Sequence, residues 1–195
     1  MLYCEYTLTY YQRHLPHWQP EGAALFITWH LHGSLPRSVQ NSLAERPARR
    51  PVLPSSGKAF VAMDRELDRA AAGPRWLEDE RIAQSVADAL RFGEWQLHLY
   101  KLRAWVLMVN HVHILIHPQA TLARITKAVK NFSAQQANAL LGRAGRPFWQ
   151  HESYDHWVRS PKELEKIVRY IEENPLKAGL VGRVEDWRWS SAFNP

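Results

Sequence analysis

The hydrophobic pattern of the chain predicts a β-hairpin at the centre of the fold. Residues 96–108 are rich in β-forming side chains, with a bend near 101–103, and a second apolar run follows over 111–117. Asn110 lies between the two runs and favours a tight turn. We therefore predict that these two strands pair as neighbours in one sheet.

The same patterning predicts further strands and helices on both sides of the hairpin. The predicted strands cover 25–32 and 151–159, the second as an edge strand, and the predicted helices cover 58–72, 77–92, 121–141 and 161–174. The last helix has a typical start at Ser160 and Pro161, and Pro175 is expected to end it at Asn174. This order predicts an α+β fold, a ferredoxin-like split β-α-β-β-α-β antiparallel sheet backed by helices, with an added C-terminal helix.

Length and composition favour one globular domain over residues 1–195. Two segments interrupt the regular pattern, an irregular arm over 1–22 and a flexible, basic, proline-rich loop over 46–57. The pattern of apolar residues predicts neither a membrane span nor a secretory signal. Cys4 is the sole cysteine, so no internal disulfide can form, which fits a reducing cytosol.

Charge and aromatic content point toward single-stranded nucleic acid. The formal net charge is +6, and the chain carries 9 Trp and 7 Tyr. Positive charge attracts phosphates, and aromatic faces offer stacking platforms for unpaired bases. A modestly basic protein whose tryptophans fill its core would show the same composition, so composition alone leaves both readings open.

Candidate chemistry centres on two histidines of the second hairpin strand. His111 and His113 are one residue apart, so on a strand both imidazoles point to the same face, as two ligands of one metal ion would. Tyr170 and Asn174 are four residues apart and share one face of the last predicted helix. If that helix packs on the sheet, it can bring an amide oxygen and a phenol to the histidines.

Two sequence blocks resemble a known family. Residues 110–113, Asn-His-Val-His, and residues 168–180, Val-Arg-Tyr-Ile-Glu-Glu-Asn-Pro-Leu-Lys-Ala-Gly-Leu, are similar to motifs of the REP-associated tyrosine transposases. These belong to the single-tyrosine HUH transposases and endonucleases, named for a His, bulky apolar, His motif. The resemblance runs from about residue 28 to residue 191 and so covers most of the chain.

The resemblance implies a function, a palm-like HUH core and a set of site residues. By position, His111 and His113 are metal ligands, Tyr170 is the catalytic nucleophile and Asn174 is the third ligand, with Glu173 as the alternative. The implied cofactor is Mg²⁺ or Mn²⁺, and the implied partner is single-stranded or hairpin DNA, cleaved and rejoined through a 5′-phosphotyrosine intermediate. It also implies a bacterial cytoplasmic protein associated with the nucleoid, and leaves monomer against homodimer undecided.

Several residues have alternative readings. His30 and His32 form a second His-x-His pattern, which we interpret as sheet surface or a DNA-contacting edge. Tyr154 is the competing nucleophile, although it can equally stack on bases or fill the core. Basic residues flanking the predicted site are candidate phosphate contacts or an ordinary solvated face: Lys127, Lys130, Arg143, Arg146, Arg159 and Arg169.

Two rival functions follow from these alternatives. A domesticated protein that binds hairpin DNA without cleaving it would keep the fold and the basic surface. A structural metal protein unrelated to nucleic acid would keep only the histidine pair.

Overall fold

A computed structural model describes residues 9–12, 16–19, 22–36 and 56–194, with side chains for 22–36 and 60–194. In chain order its strands and helices are β1 (Thr9–Gln12), β2 (Pro16–Gln19), β3 (Leu25–His30), α1 (Ser56–Arg69), α2 (Glu80–Trp95), β4 (Tyr100–Leu107), β5 (His111–Pro118), α3 (Leu122–Leu140), β6 (Tyr154–Trp157) and α4 (Pro161–Lys177). None of the described helices is long and apolar enough to cross a lipid bilayer.

Four strands form an antiparallel sheet in the order β4-β5-β3-β6. The predicted central hairpin is β4-β5, and the predicted bend is a register shift between Leu102 and Ala104. The predicted edge strand is β6, which pairs with β3 at the outside of the sheet. The α+β fold with a split β-α-β-β-α-β core is therefore confirmed.

One side of the sheet, which we call the apolar face, is covered by α2 and α3. Leu25, Ile27 and Trp29 of β3 point to this side together with Val112 and Ile114 of β5, and each is at most 1% exposed. Aliphatic residues of the two helices, such as Ile82 and Val86 of α2, pack against them because they recur at helical spacing.

The opposite side, which we call the histidine face, carries the alternate residues of the same strands. Thr28 pairs with His113 and His30 pairs with His111, so these four side chains share one side of the sheet. Helices α1 and α4 cover this face with apolar residues, among them Phe60 and Ile171.

Several predicted boundaries differ from the structure. The arm over 1–22 was expected to be irregular, but β1 and β2 pair there as an antiparallel hairpin. The loop predicted over 46–57 lies outside the described residues up to 55, and its last two residues belong to α1.

The end of α4 also differs, because the helix continues through Pro175 to Lys177. Proline removes a single N–H donor near the helix end, and the backbone N–H of Ala178 still donates to the carbonyl oxygen of Asn174 at 2.9 Å. Burial of Ile171, Asn174 and Pro175 holds this last turn against the sheet.

Candidate metal and tyrosine site

The two predicted histidines lie side by side on the histidine face. His111 and His113 are both fully buried, at 0% exposure. Their Nε2 atoms are 3.0 Å apart. The predicted shared direction of the two side chains is therefore confirmed, because the strand places both imidazoles on one face with the same nitrogen turned inward.

Neighbouring side chains orient each imidazole through its other nitrogen. His111 Nδ1 donates to Asn110 Oδ1 at 2.7 Å, and Asn110 Nδ2 donates to the carbonyl oxygen of Leu67 in α1 at 3.0 Å. His113 Nδ1 lies 2.7 Å from Thr28 Oγ1, a hydroxyl oxygen that can accept a hydrogen bond from it. With both protons on Nδ1, both Nε2 lone pairs face the same space, as in metal-binding histidines.

Burial keeps His111 in the form that a metal needs. Desolvation lowers its pKa well below the ordinary value, and the nearby His113 and His30 lower it further. His111 is therefore neutral at neutral pH. Its Nε2 faces His113 Nε2 at 3.0 Å, an arrangement that a proton or a cation between the two nitrogens stabilises.

Helix α1 adds two carboxylates that the sequence analysis did not select. Asp64 Oδ1 lies 3.2 Å from His113 Nε2 and 3.9 Å from His111 Nε2. Asp68, one helical turn later, has its Oδ1 3.6 Å from His111 Nε2. Asp64, His111 and His113 are all buried, and together they form a group that could hold a metal ion.

The donor set fits a divalent cation. Metal–nitrogen distances near 2.1 Å and a nitrogen separation of 3.0 Å correspond to an angle of roughly 90° at the ion. The Oδ1 atoms of Asp64 and Asp68 are buried and accept no hydrogen bond in the described part of the chain. Burial and the negative charge of the adjacent Asp64 raise the pKa of Asp68 to about 7. The ionised form of Asp68 is thus poorly stabilised by its surroundings, and a cation at this position would stabilise it.

Tyr170 lies against this group in the same chain. Its hydroxyl donates to Asp64 Oδ2, and its ring centroid is 5.6 Å from that of His113. Edge contacts with Phe26 and Phe60 fix the ring from two other directions. The last predicted helix therefore does bring a phenol to the two imidazoles.

Asn174 follows Tyr170 by one turn and is 1% exposed. Its Oδ1 accepts no hydrogen bond from the described residues. A buried amide oxygen without a donor is unusual and could serve a cation. Its role as third ligand stays a prediction, since the acceptor that the structure places beside a histidine Nε2 is the carboxylate of Asp64.

His30 and Tyr154, the alternative candidates from the sequence, both have structural roles. His30 is 7% exposed, so the expectation that it lies on the sheet surface is wrong. Its Nδ1 is 2.8 Å from Ser34 Oγ, and it adjoins His111 across the strand pair. Tyr154 stacks on Phe60 with ring centroids 4.3 Å apart, which makes it part of the packing beneath α1.

The six basic residues divide into two groups. Lys130 was expected on the solvated side of its helix, but its Nζ donates to the backbone oxygens of Gln150 and His151 at 2.7 and 2.9 Å. The guanidinium of Arg143 lies 4.0 Å over the ring of Trp76. The other four are exposed, and their contact with DNA stays a prediction: Lys127, Arg146, Arg159 and Arg169.

Comparison with known proteins places these motifs in a family. The model of the family "Transposase IS200 like" matches residues 78–174, which is about half of the chain. The matched segment contains His111, His113, Tyr170 and Asn174. Asp64 and Asp68 precede it.

The chain is similar to a REP-associated tyrosine transposase of Escherichia coli (strain K12), 26% identical over 92 residues, and to a putative one of Haemophilus influenzae, 42% identical over 43 residues. These matches cover 47% and 22% of the chain, and they span 54% and 24% of the relatives' own lengths.

A solved structure, of the REP-associated tyrosine transposase bound to a REP hairpin, shares the fold. The identity is 18% and the TM-score 0.50, with 94% of this chain and 81% of that chain covered. The resemblance seen in the two sequence blocks is confirmed, and the chain belongs to the IS200-like transposase family.

Proposed function

We propose that this protein is a metal-dependent enzyme that cleaves and rejoins single-stranded DNA through a 5′-phosphotyrosine intermediate. The observation that carries the proposal is the position of the Tyr170 hydroxyl, which is joined through the Asp64 carboxylate to the buried His111–His113 pair. A candidate nucleophile on the half-buried Tyr170 then adjoins two buried imidazoles and a buried carboxylate, in a chain of a transposase family.

The chemistry requires a cation and a phenol on one phosphodiester. A divalent ion, Mg²⁺ or Mn²⁺ as the resemblance implies, would neutralise charge on the phosphate and orient it for in-line attack. Tyr170 Oη forms a bond to phosphorus as the bond to the 3′ oxygen breaks. The products are a 5′-phosphotyrosine link and a 3′-hydroxyl, and the reverse reaction with another 3′-hydroxyl rejoins DNA.

The proposed substrate is single-stranded DNA beside a hairpin. The E. coli and H. influenzae relatives are REP-associated transposases by name, and the solved relative is bound to a REP hairpin. A net charge of +6 and the exposed Lys127, Arg146, Arg159 and Arg169 provide the attraction that a phosphate backbone needs.

The test is covalent capture of the intermediate. Purified protein is incubated with single-stranded hairpin DNA and Mn²⁺ and then resolved on a denaturing gel. We expect a protein–DNA adduct that disappears with a chelator and with Tyr170→Phe. Tyr154→Phe is the matched control, because it removes a hydroxyl from a neighbouring tyrosine and should leave the adduct in place.

The main alternative is a protein that binds hairpin DNA without cutting it. The full burial of both histidines favours this reading, because a phosphate cannot reach them in the described conformation. Salt-dependent hairpin binding with no adduct under any metal would support it. An adduct that survives Tyr170→Phe would overturn the assignment of the nucleophile.

A further inference from the structure

We propose that Asp64 joins the metal to the nucleophile, with Oδ1 as the third metal ligand and Oδ2 as the acceptor that holds the Tyr170 hydroxyl. The inference rests on the proposed metal-dependent function and assigns a residue that neither motif block contains. It also changes the expected ligand set, because Asn174 was the predicted third ligand.

The two oxygens of Asp64 have different surroundings. Oδ2 accepts a hydrogen bond from the Tyr170 hydroxyl, whereas Oδ1 has no hydrogen-bond donor among the described residues and faces His113 Nε2 at 3.2 Å. The residue is only 4% exposed. A buried carboxylate oxygen without a donor is costly, and a cation shared with two imidazoles removes that cost.

Chemistry also favours Asp64 over the two neighbouring candidates. A carboxylate carries a full negative charge, whereas the Asn174 amide is neutral, and Mg²⁺ and Mn²⁺ prefer carboxylate oxygen. Asp68 is the other acid on the same helix, but its side chain is 27% exposed and its Oδ1 is farther away, at 3.6 Å from the nearer histidine. Asp64 is therefore the acid that burial and distance select.

Placement of Asp64 on α1 makes the site depend on a segment outside the family match. Residues 78–174 supply His111, His113 and Tyr170, while α1 ends at Arg69. Helix α1 is held over the pair by the bond from Asn110 Nδ2 to the Leu67 carbonyl oxygen, one turn after Asp64. The turn residue that leads into the histidine motif thus also positions the helix that completes the site.

The first test is metal binding without DNA. Mn²⁺ is titrated into the full chain and its free concentration followed by electron paramagnetic resonance. We expect Asp64→Asn, which keeps the shape of the side chain, to weaken binding at least about tenfold. Asp68→Asn and Asn174→Ala should each weaken binding less than Asp64→Asn does. Asp88→Asn is the control, because Asp88 accepts from Gln84 on the exposed side of α2, and it should change binding by less than about threefold.

Unchanged binding by Asp64→Asn, or no Mn²⁺ binding by the unmodified protein, would overturn the ligand assignment. So would a loss with Asn174→Ala as large as the loss with Asp64→Asn. Circular dichroism of each variant shows whether the fold is retained, and a variant that is not folded is replaced by Asp64→Glu, which should bind Mn²⁺ more tightly than Asp64→Ala.

The second test concerns the hydrogen bond to Tyr170. Thermal melts without metal are compared for Asp64→Asn, Tyr170→Phe and the double variant. Because the two groups contact each other, the two shifts in Tm should not add. Asp64→Asn combined with Tyr100→Phe is the matched control, since Tyr100 donates to the Leu90 carbonyl oxygen away from the site, and these shifts should add.

Additive shifts for Asp64→Asn and Tyr170→Phe would overturn the bridging role. Both tests are made without DNA, so their failure is separate from failure of the proposed reaction. A protein that forms the Tyr170-dependent adduct yet keeps its Mn²⁺ affinity after Asp64→Asn retains the proposed function and loses this inference.

Discussion

The two faces of the sheet are built from alternate residues of the same strands, yet they bury opposite chemistry. On the apolar face, Ile114 of β5 is 1% exposed and packs into an aliphatic and aromatic core. One residue earlier, His113 is 0% exposed on the histidine face and contacts a second imidazole and a carboxylate. Ile114 and His113 are equally buried, so burial alone does not distinguish a packing residue from a functional one.

The difference shows how the fold accommodates a group of polar side chains whose burial costs free energy. Removing polar groups from water costs free energy unless each finds a partner. Asn110 and Thr28 satisfy one nitrogen of each histidine, but Asp64 Oδ1 has no hydrogen-bond donor among the described residues. Apolar clusters on both sides of the sheet offset this cost, and the candidate site lies on the histidine face alone.

His113→Ala should have the largest effect, and its main effect should be on function. We expect loss of Mn²⁺ binding and at least a thousandfold loss of adduct formation, about 4 kcal/mol, because the site loses a ligand. Mn²⁺ titration and the adduct gel measure these losses. Urea unfolding should show a folded protein, and a variant that still binds Mn²⁺ like the unmodified chain would contradict the comparison.

Ile114→Ala is the matched change on the apolar face. It should lower the free energy of unfolding by about 2–5 kcal/mol, because a fully buried side chain leaves a cavity. Urea denaturation measures this loss. Mn²⁺ affinity of the folded fraction should stay within about threefold, and a larger change in affinity would show that the two faces are coupled.

His30→Gln tests how a buried histidine of the histidine face makes the stability of the fold depend on pH. Burial lowers the pKa of His30 to about 4, below the value near 6.5 expected in the unfolded chain. Between these values the unfolded state binds a proton that the folded state does not, so stability falls as pH falls from 6.5 to 4. His30 contributes about 3 kcal/mol to that fall.

Urea unfolding at pH 7.5 and 4.5 measures the effect. The unmodified protein should lose more stability between these two pH values than His30→Gln loses. Equal losses would mean that His30 already carries its proton in the folded protein.

Thr28→Val should have the smallest effect of the four. The change keeps the side-chain shape but removes the hydroxyl beside His113 Nδ1. Loss of such an orienting partner typically weakens metal affinity 10–100-fold, and we expect the lower end because His113 remains packed against Phe26. Mn²⁺ titration checks this, with Thr126→Val as the control, because Thr126 is a half-buried residue of α3 whose hydroxyl donates to the Leu122 carbonyl oxygen. Unchanged affinity would show that packing alone orients His113.

Local patterns in the sequence were enough to predict much of the fold and half of the site. Alternation along β5 predicted the shared direction of His111 and His113, and helical spacing predicted the shared face of Tyr170 and Asn174. Both features depend on the geometry of a single element. The meeting of β5 with α4 came from the family resemblance, which supplied the tertiary step.

Asp64 was missed because its role depends on how α1 crosses the sheet. The signal was present, since Asp64 lies between Phe60 and Leu67 on the apolar stripe of the helix, where an acid is out of place. The β1-β2 hairpin was missed because prolines and polar residues hide the strand pattern. The prediction that Pro175 ends α4 at Asn174 was wrong, because tertiary packing outweighs the one hydrogen bond that the proline removes.

The complete burial of the two imidazoles limits how quickly a metal ion bound there could exchange with solvent. No cation can enter or leave while α1 covers them, so the bond from Asn110 to Leu67 and the bond from Tyr170 to Asp64 must both open first. Departure of Mn²⁺ and amide hydrogen exchange within α1 should therefore both slow down when these contacts are strengthened. The residence time of a bound metal would then report how often α1 opens away from the sheet.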